Sequence, residues 1–278
     1  MKKFILSCAC GVMLASPVWA DGLDMLGRTS VSVSDTQDGD AAFEIETIQP
    51  ISQTAETLKH TVFFQGRLAS QNSDETINVG IGYRNLADDE NIIYGINAFY
   101  DATTEYDHRR ASLGLEAIGK RYSLRANIYS ALSNEKKKVS GAVTTYQSAL
   151  DGYDFSLDMP MPYLPWMRLQ ATGYKWEALK DFDDISGSRL TLLGNLTNQL
   201  SFEVGADDNN YQGTDNFVKL TYNLNGHAGN GITATLADGE TVGEAGERNL
   251  RDHLLDKVVR NNNIVVQTRG GVVIGRSN

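Results

Sequence analysis

Thr76-Ile-Asn-Val-Gly-Ile-Gly-Tyr-Arg84 is the stretch that decides the fold, because apolar and polar residues alternate along it without a break. One face carries Ile77, Val79, Ile81 and Tyr83, and the other carries Asn78, Gly80, Gly82 and Arg84. Successive side chains of a β-strand point to opposite faces. The alternation therefore predicts a strand with one apolar and one polar face.

The same alternation recurs between residues 42 and 224. Short sequences rich in Asp, Asn, Ser and Gly separate the alternating stretches, as expected of turns between antiparallel strands. We predict twelve strands, at residues 28–34, 42–50, 59–69, 76–85, 92–102, 109–119, 121–132, 149–160, 166–178, 187–197, 200–209 and 215–225.

Alternation alone fits both a soluble sandwich and a membrane barrel, so strand length has to decide between them. The predicted strands have about 9–12 residues, which matches a tilted membrane-spanning strand and exceeds the mean strand of a soluble sheet. Tyrosines near the strand ends suit the aromatic girdles of a membrane barrel. They are Tyr83, Tyr94, Tyr100, Tyr122, Tyr153 and Tyr222. We therefore predict an all-β fold, a twelve-stranded antiparallel transmembrane β-barrel.

The polar face of these strands would line the barrel lumen. It carries charged residues that include Arg84, Glu116 and Arg125. Because a lone charge in a narrow lumen is costly, we expect these three side chains to pair with one another.

The first 20 residues have the parts of a secretory signal: two lysines, an apolar run over residues 4–15, and a small-residue site for cleavage between Ala20 and Asp21. The apolar run, roughly 12 residues, is shorter than the about 20 that a membrane-spanning helix needs. Both cysteines of the chain, Cys8 and Cys10, fall inside this signal. The mature chain is therefore expected to hold neither a disulfide nor a Cys-ligated metal.

Composition and spacing argue against several other functions. The formal net charge is −10, which disfavours binding to nucleic-acid phosphates. No two of the four histidines show the i, i+4 spacing of a helical metal site. Ser112 and His108 would lie about 13 Å apart along a strand, too far for a nucleophile and its base. We expect no cofactor, no nucleic-acid partner and no enzymatic activity.

Two consecutive strands carry a recognisable motif. Asn78-Val-Gly-Ile-Gly-Tyr-Arg-Asn85, followed by Tyr94-Gly-Ile-Asn-Ala-Phe-Tyr-Asp101, resembles the signature of the inverse autotransporter β-domain of the intimin and invasin family. The segment from His108 to Glu116 resembles the next strand of that signature. The motif residues are Asn78, Gly80, Gly82, Tyr83, Arg84, Gly95, Asn97, Phe99, Asp101, Arg109, Arg110, Gly114 and Glu116. The resemblance extends from about residue 27 to residue 267.

The chain after Leu224 extends the resemblance, because Asp256–Gln267 is similar to the family's post-barrel segment. Residues 225–243 are Gly-rich and polar and predict a linker. Apolar residues at helical spacing predict a helix over Glu244–Val259, which the resemblance places in the lumen as a plug. Residues 264–267 and 272–274 predict a small hairpin. The plug and linker residues are Leu250, Leu254, Leu255, Val258, Arg260, Asn261, Asn262 and Asn263.

The resemblance implies a barrel in the Gram-negative outer membrane whose C-terminal passenger leaves through the lumen. An even number of strands puts both ends of the barrel on the periplasmic side. We expect a signal peptide at residues 1–20, the barrel at 27–225, and a linker, plug helix and tail at 226–278. The expected partners are outer-membrane lipid, lipopolysaccharide near the basic run Lys136–Lys138, and the family's barrel insertase and periplasmic chaperones; the barrel itself is expected to be monomeric.

The sequence departs from the family at its C-terminal end. Members usually carry long arrays of adhesin modules there, whereas 11 residues follow Gln267. The resemblance therefore does not carry cell adhesion over to this chain. We expect the barrel to translocate or anchor its own C-terminal segment through the lumen. The alternative is a stand-alone structural or channel-type outer-membrane protein without passenger secretion, and the two differ in where Asp256–Gln267 lies.

Overall fold

A computed structural model describes residues 26–36, 41–53, 59–71, 74–140, 143–179, 182–224, 231–232, 247–268 and 271–273. The predicted signal, with Ala20 and Asp21, and most of the predicted linker lie outside these residues. Within the described ranges, no helix has the length and apolar character needed to cross a bilayer.

Twelve strands form a closed antiparallel barrel, which confirms the predicted fold class. Neighbours in the chain are neighbours in the barrel, and its first and last strands pair to close it. The barrel strands are β1 Thr29–Thr36, β2 Ala42–Gln53, β3 His60–Gln71, β4 Asp74–Leu86, β5 Ile92–Thr103, β6 Arg109–Gly119, β7 Ser123–Ala131, β10 Gly152–Met161, β11 Leu164–Trp176, β12 Ile185–Asn195, β13 Leu200–Asn209 and β14 Gly213–Asn223.

Four further strands form a second, small sheet in the order β16-β15-β9-β8. They are β8 Lys136–Ser140, β9 Val143–Ala149, β15 Val266–Thr268 and β16 Gly271–Val273. The last two form the hairpin predicted near the C-terminus. The hairpin of β8 and β9 was not predicted, because the predicted strands leave out residues 133–148, where Lys136 begins β8.

The faces of the barrel follow the alternation of the sequence. Outward apolar side chains are exposed, with Ile96 at 56% and Leu115 at 62%. Inward polar side chains are buried, and Arg84, Asp101 and Arg110 each have 0% exposure. An apolar exterior suits contact with lipid, and closure leaves the barrel without a free strand edge inside the bilayer.

Cross-strand pairing arranges the inward residues in rows that alternate large side chains with glycine. Gly82 lies beside Phe63, and Gly80 lies beside Phe99. A Cβ atom on Gly82 would stand 2.1 Å from Cζ of Phe63, and one on Gly80 would stand 2.3 Å from Cδ1 of Phe99. The two phenylalanines therefore occupy the space that the glycines leave. This packing explains why the motif has glycine at both positions.

The two rims of the barrel differ. At one rim, here the terminal end, β1 begins and β14 ends, and the connections are mostly short turns. At the opposite rim, the loop end, the longest connection runs from β7 to β10 and contains the hairpin of β8 and β9.

Candidate functional site: the barrel lumen

The lumen wall near the terminal end is organised around a row of charges on β4, β5, β6 and β7. Arg84 is paired with Gly95, Gly95 with Glu116, and Glu116 with Arg125. Because Gly95 has no side chain, Arg84 reaches across it to Glu116, with Nη2 2.9 Å from Oε2. Arg125 Nε lies 3.8 Å from Glu116 Oε1. The expected pairing of the three charged side chains is confirmed.

A second charged group lies closer to the loop end and is centred on Asp101 of β5. Arg110 donates to it from β6 through Nε at 2.9 Å, and Asn78 donates to it from β4 at 2.7 Å. Arg260, from the C-terminal part of the chain, donates to both carboxylate oxygens at 2.9 and 2.6 Å. Asp101 therefore holds two wall side chains and one C-terminal side chain together.

Residues 247–268, here the lumen segment, run along the inside of the barrel from the terminal end to the loop end. Arg248 donates to the carbonyl of Gly119 at 2.7 Å, beside the turn between β6 and β7. Leu250 and Leu254 pack with apolar wall residues near the same rim, and Val258 packs with Phe63 and Phe99 farther along. The segment thus contacts the wall at successive levels.

The predicted helix over Glu244–Val259 is wrong for the part of it that the structure describes. Residues 247–259 contain only a 3₁₀ turn at Leu250–His253. An α-helix would use each carbonyl for a hydrogen bond to the amide four residues later. Here the carbonyls of Leu254, Asp256 and Val259 instead accept hydrogen bonds from wall side chains. The wall therefore competes with the helix for these acceptors.

Four inward side chains, Asn78, Arg84, Arg110 and Asn127, donate to main-chain carbonyls of the lumen segment. The guanidinium Nη1 of Arg84 donates to the carbonyls of residues 254 and 256. Arg110 donates to the carbonyls of residues 261 and 263 at 2.7 and 2.9 Å. Asn78 and Asn127 donate to the carbonyls of residues 262 and 259 at 2.8 and 3.2 Å. We call these four side chains the carbonyl-binding set.

Aromatic rings line the same region. The guanidinium of Arg260 lies 4.5 Å from the ring centre of Phe99, and that of Arg110 lies 4.5 Å from the ring centre of Tyr129. Tyr129 and Trp176 are in contact across Gly152, with ring centres 5.1 Å apart. Stacking against aromatic faces stabilises the desolvated guanidinium groups.

At the loop end, the lumen segment joins the small sheet. The amide of Leu150 donates to the carbonyl of Val265 at 2.9 Å. Residues 266–268 of β15 pair antiparallel with residues 147–149 of β9. Val265 is fully buried against Leu150 and Trp176. The segment therefore ends as an added strand on the hairpin that stands at this rim.

The lumen segment lies against one side of the barrel and leaves space on the other. A cavity of about 210 Å³ separates it from β11, β12, β13 and β14. Its lining includes Thr172, Tyr174, Thr191, Asp207 and Lys219. Since a water molecule occupies about 30 Å³ in the liquid, this polar space has room for several waters.

Most of the predicted motif residues meet in the lumen, but two do not. Tyr83 faces outward and its hydroxyl lies 2.7 Å from His60 Nδ1. Arg109 is exposed and pairs with Asp107 at 3.0 Å, so only Arg110 of the arginine pair reaches the lumen. Of the predicted plug residues, Leu255 is a partly buried neighbour of the cluster that contains Phe63.

The sequence reasoning missed several residues that hold the lumen segment. Arg251 pairs with Glu90 in the turn between β4 and β5, and this hydrogen bond lowers the pKa of the Glu90 carboxyl below its usual range. Lys257 pairs with Glu46 at 3.3 Å. The sequence did contain a signal for these contacts. The C-terminal part carries cations at residues 248, 251, 257 and 260, and the chain as a whole is acidic, with a formal net charge of −10.

Among the described residues, no group of three or more His, Cys, Asp or Glu side chains is placed to hold a metal ion. His60, His108 and His253 lie apart along the chain, and His227 lies outside the described ranges.

A comparison with protein families finds a match over most of the chain. The family described as "Inverse autotransporter, beta-domain" matches residues 14–262. This match confirms the resemblance drawn from the motif and covers both the barrel and most of the lumen segment.

Solved structures show the same fold. A structure from a study of the in-meso crystallization of membrane proteins has a TM-score of 0.68 at 15% identity, and the match covers 87% of this chain and 99% of that one. The COG4313 outer membrane channel from Pseudomonas putida F1 has a TM-score of 0.51 at 12% identity, covering 75% and 99%.

Proposed function

Because the chain belongs to the inverse autotransporter β-domain family, we propose that this outer-membrane barrel passes its own C-terminal segment through the lumen and anchors it there. The segment is inserted from the periplasmic side and its end is displayed at the cell surface. The barrel acts by holding and positioning a polypeptide, without catalysis and without a cofactor.

One observation carries the proposal: the lumen segment reaches from one rim of the barrel to the other. Arg248 binds the Gly119 carbonyl at the terminal end, and residues 266–268 pair with β9 at the loop end. In outer-membrane barrels the short turns face the periplasm and the longer connections face outward. By this rule the terminal end is periplasmic, and the segment leaves at the surface.

The energetics support stable retention of the segment. Its four cations, at residues 248, 251, 257 and 260, face carboxylates of the barrel or its turns. Three apolar clusters hold Leu250, Leu254, Leu255, Val258 and Val265. Arg260 and Asp101 are fully buried, and separation of a buried pair costs about 3–5 kcal/mol because each charge loses its partner.

The alternative function is a structural or channel-type outer-membrane protein. The cavity of about 210 Å³ beside the lumen segment favours it, since the segment leaves part of the lumen unfilled. In this alternative the C-terminal segment, with Asp256–Gln267, would stay on the periplasmic side and the open pore would conduct.

An accessible tag separates the two functions. An epitope inserted after Gly275 should bind antibody on intact cells if the segment is displayed. A matched control carries the same epitope between Asp88 and Asp89, in the turn at the terminal end, and should bind antibody only after permeabilisation. Binding of both tags only after permeabilisation would contradict display and support the channel-type alternative.

The partners follow from the same proposal. A periplasmic chaperone and the barrel insertase would assemble the barrel, lipid would contact its apolar exterior, and lipopolysaccharide would contact the basic residues that begin β8. The closed strand order is formed by one chain, which favours a monomer.

A further inference from the structure

The lumen wall binds the segment largely through its main chain. The carbonyls of residues 254, 256, 259, 261, 262 and 263 all accept hydrogen bonds from the carbonyl-binding set. Wall groups also accept from main-chain amides: Gln65 accepts from the amide of Val258 at 2.9 Å, and the Tyr129 hydroxyl accepts from the amide of Asn261 at 2.7 Å. These contacts do not depend on which side chain the segment carries.

A closed barrel makes such side-chain donors necessary. An extended chain normally satisfies its carbonyls and amides by pairing with a strand edge. Inside a closed barrel every strand is already paired on both sides, so no edge is free. Long side chains with several donors, above all arginine, are then the groups that can reach the carbonyls of a passing chain.

Each member of the carbonyl-binding set is fixed in place by a wall carboxylate. Glu116 holds Arg84, and Asp101 holds both Arg110 and Asn78. Asp154 accepts from Asn127 at 2.7 Å. Since the carboxylates use part of each donor group, the remaining N–H bonds are directed into the lumen. The donors are thus oriented by the barrel itself and not by the segment.

We propose that the carbonyl-binding set is a binding site for extended polypeptide of any sequence, through which successive residues of the C-terminal chain can be held as they move along the lumen. This proposal rests on the proposed function and says what the lumen wall recognises, namely the main chain. Cation–carboxylate pairs such as Arg260 with Asp101 fix where the segment finally stops.

The proposal is tested on the full chain in planar bilayers, by counting transitions above the resting conductance. The variant R84K/R110K keeps both charges beside Glu116 and Asp101, but the single nitrogen of an ammonium cannot bind the wall carboxylate and two carbonyls together, as the three nitrogens of the guanidinium do. We expect openings to become about tenfold or more frequent, because several hydrogen bonds are weakened at once. The control R168K alters a lumen arginine that binds Asp158 and the Arg121 carbonyl, both in the barrel, and should behave as the unaltered protein.

A second variant, V259T/N263S, replaces two segment residues whose main-chain carbonyls are bound by the carbonyl-binding set. Because the carbonyls themselves are unchanged, this variant should remain closed. Openings as frequent in V259T/N263S as in R84K/R110K would overturn the proposal, and so would an R84K/R110K variant that stays closed. If R84K/R110K does not fold, N127A replaces it. N127A loses one bond to the segment, at the carbonyl of residue 259, so we expect a smaller increase in openings, and an N127A variant that stays closed would overturn the proposal. Failure of the proposed function gives a different result, namely a tag after Gly275 that is inaccessible on intact cells.

Discussion

Arg260 of the lumen segment and Asp101 of β5 form a two-point ion pair, with Nη1 2.9 Å from Oδ1 and Nη2 2.6 Å from Oδ2. Both side chains have 0% exposure. The two residues are 159 positions apart in the sequence. The pair therefore joins the C-terminal part of the chain to the inner wall at a point that water does not reach.

Loss of this pair should destabilise the assembled barrel. In R260A the Asp101 carboxylate keeps Arg110 and Asn78 but loses its strongest C-terminal partner, and we expect a loss of about 3–5 kcal/mol. The temperature at which the folded band disappears on a gel should fall accordingly. The control R251A removes a pair with exposed Glu90, which solvent screens, and should change that temperature little. Equal effects of R251A and R260A would contradict a special stabilising role for the buried pair of Arg260 and Asp101.

Glycine in the wall rows should be required for packing. In G82A the new Cβ would lie 2.1 Å from Phe63 Cζ, so the ring or the strand has to move. Such overpacking costs about 1–3 kcal/mol. We expect less folded barrel in purified outer membranes. G173A is the matched control, because a Cβ at Gly173 meets nothing within 4 Å. If G82A accumulates to the level of G173A, the packing argument is wrong.

The outward face of β14 should contact lipid. Tyr222 is 44% exposed and pairs with Val31 of β1 at the seam that closes the barrel. A charge on the lipid face is destabilising to an extent that depends on its depth in the bilayer. Tyr222→Asp should therefore lower the amount of heat-modifiable barrel in membranes, while Tyr222→Phe should not. Unchanged levels of the Asp variant would count against a lipid-facing position.

The basic residues that begin β8 should bind lipopolysaccharide. Lys136 lies at the loop end, where it pairs with Asp107 at 3.1 Å. Alanine at Lys136, Lys137 and Lys138 should weaken binding of purified protein to lipopolysaccharide vesicles, and added salt should weaken the binding of the unaltered protein because exposed charges are screened. Lys175→Ala, at the same rim, is the control. Binding that is insensitive to both the triple variant and salt would refute this role.

The barrel was predictable because the barrel strands β3 to β7 and β10 carry a clear two-residue period. The stretch from Thr76 to Arg84 alternates without exception, and the structure gives its two faces opposite environments. The closed order of twelve strands follows from the number of such stretches. The hairpin of β8 and β9 escaped because it stands at the rim of the barrel, and residues 143–149 are mainly small and polar and show no apolar stripe.

The lumen was predictable in its residues but not in its geometry. The motif placed Asn78, Arg84 and Asp101 on one face, yet nothing local indicates that Arg84 reaches over Gly95 to Glu116. The spacing of Leu250, Leu254 and Val258 predicted a helix, although these residues contact different levels of the wall. The helical period failed because the wall supplies hydrogen-bond donors that a single sequence stretch cannot indicate.

A disulfide between the lumen segment and the loop-end hairpin tests the central claim most directly. Ser148 and Gln267 are cross-strand partners, and paired residues of antiparallel strands have Cα atoms about 4.5–5.5 Å apart, within the range of a disulfide. The predicted mature chain has no other cysteine. In outer membranes of cells that make S148C/Q267C, we predict a cross-linked species that migrates differently on a non-reducing gel and reverts on reduction. Absence of that species in folded barrel, as in the control pair D89C/Q267C with one cysteine at the opposite rim, would contradict a segment that passes through the lumen.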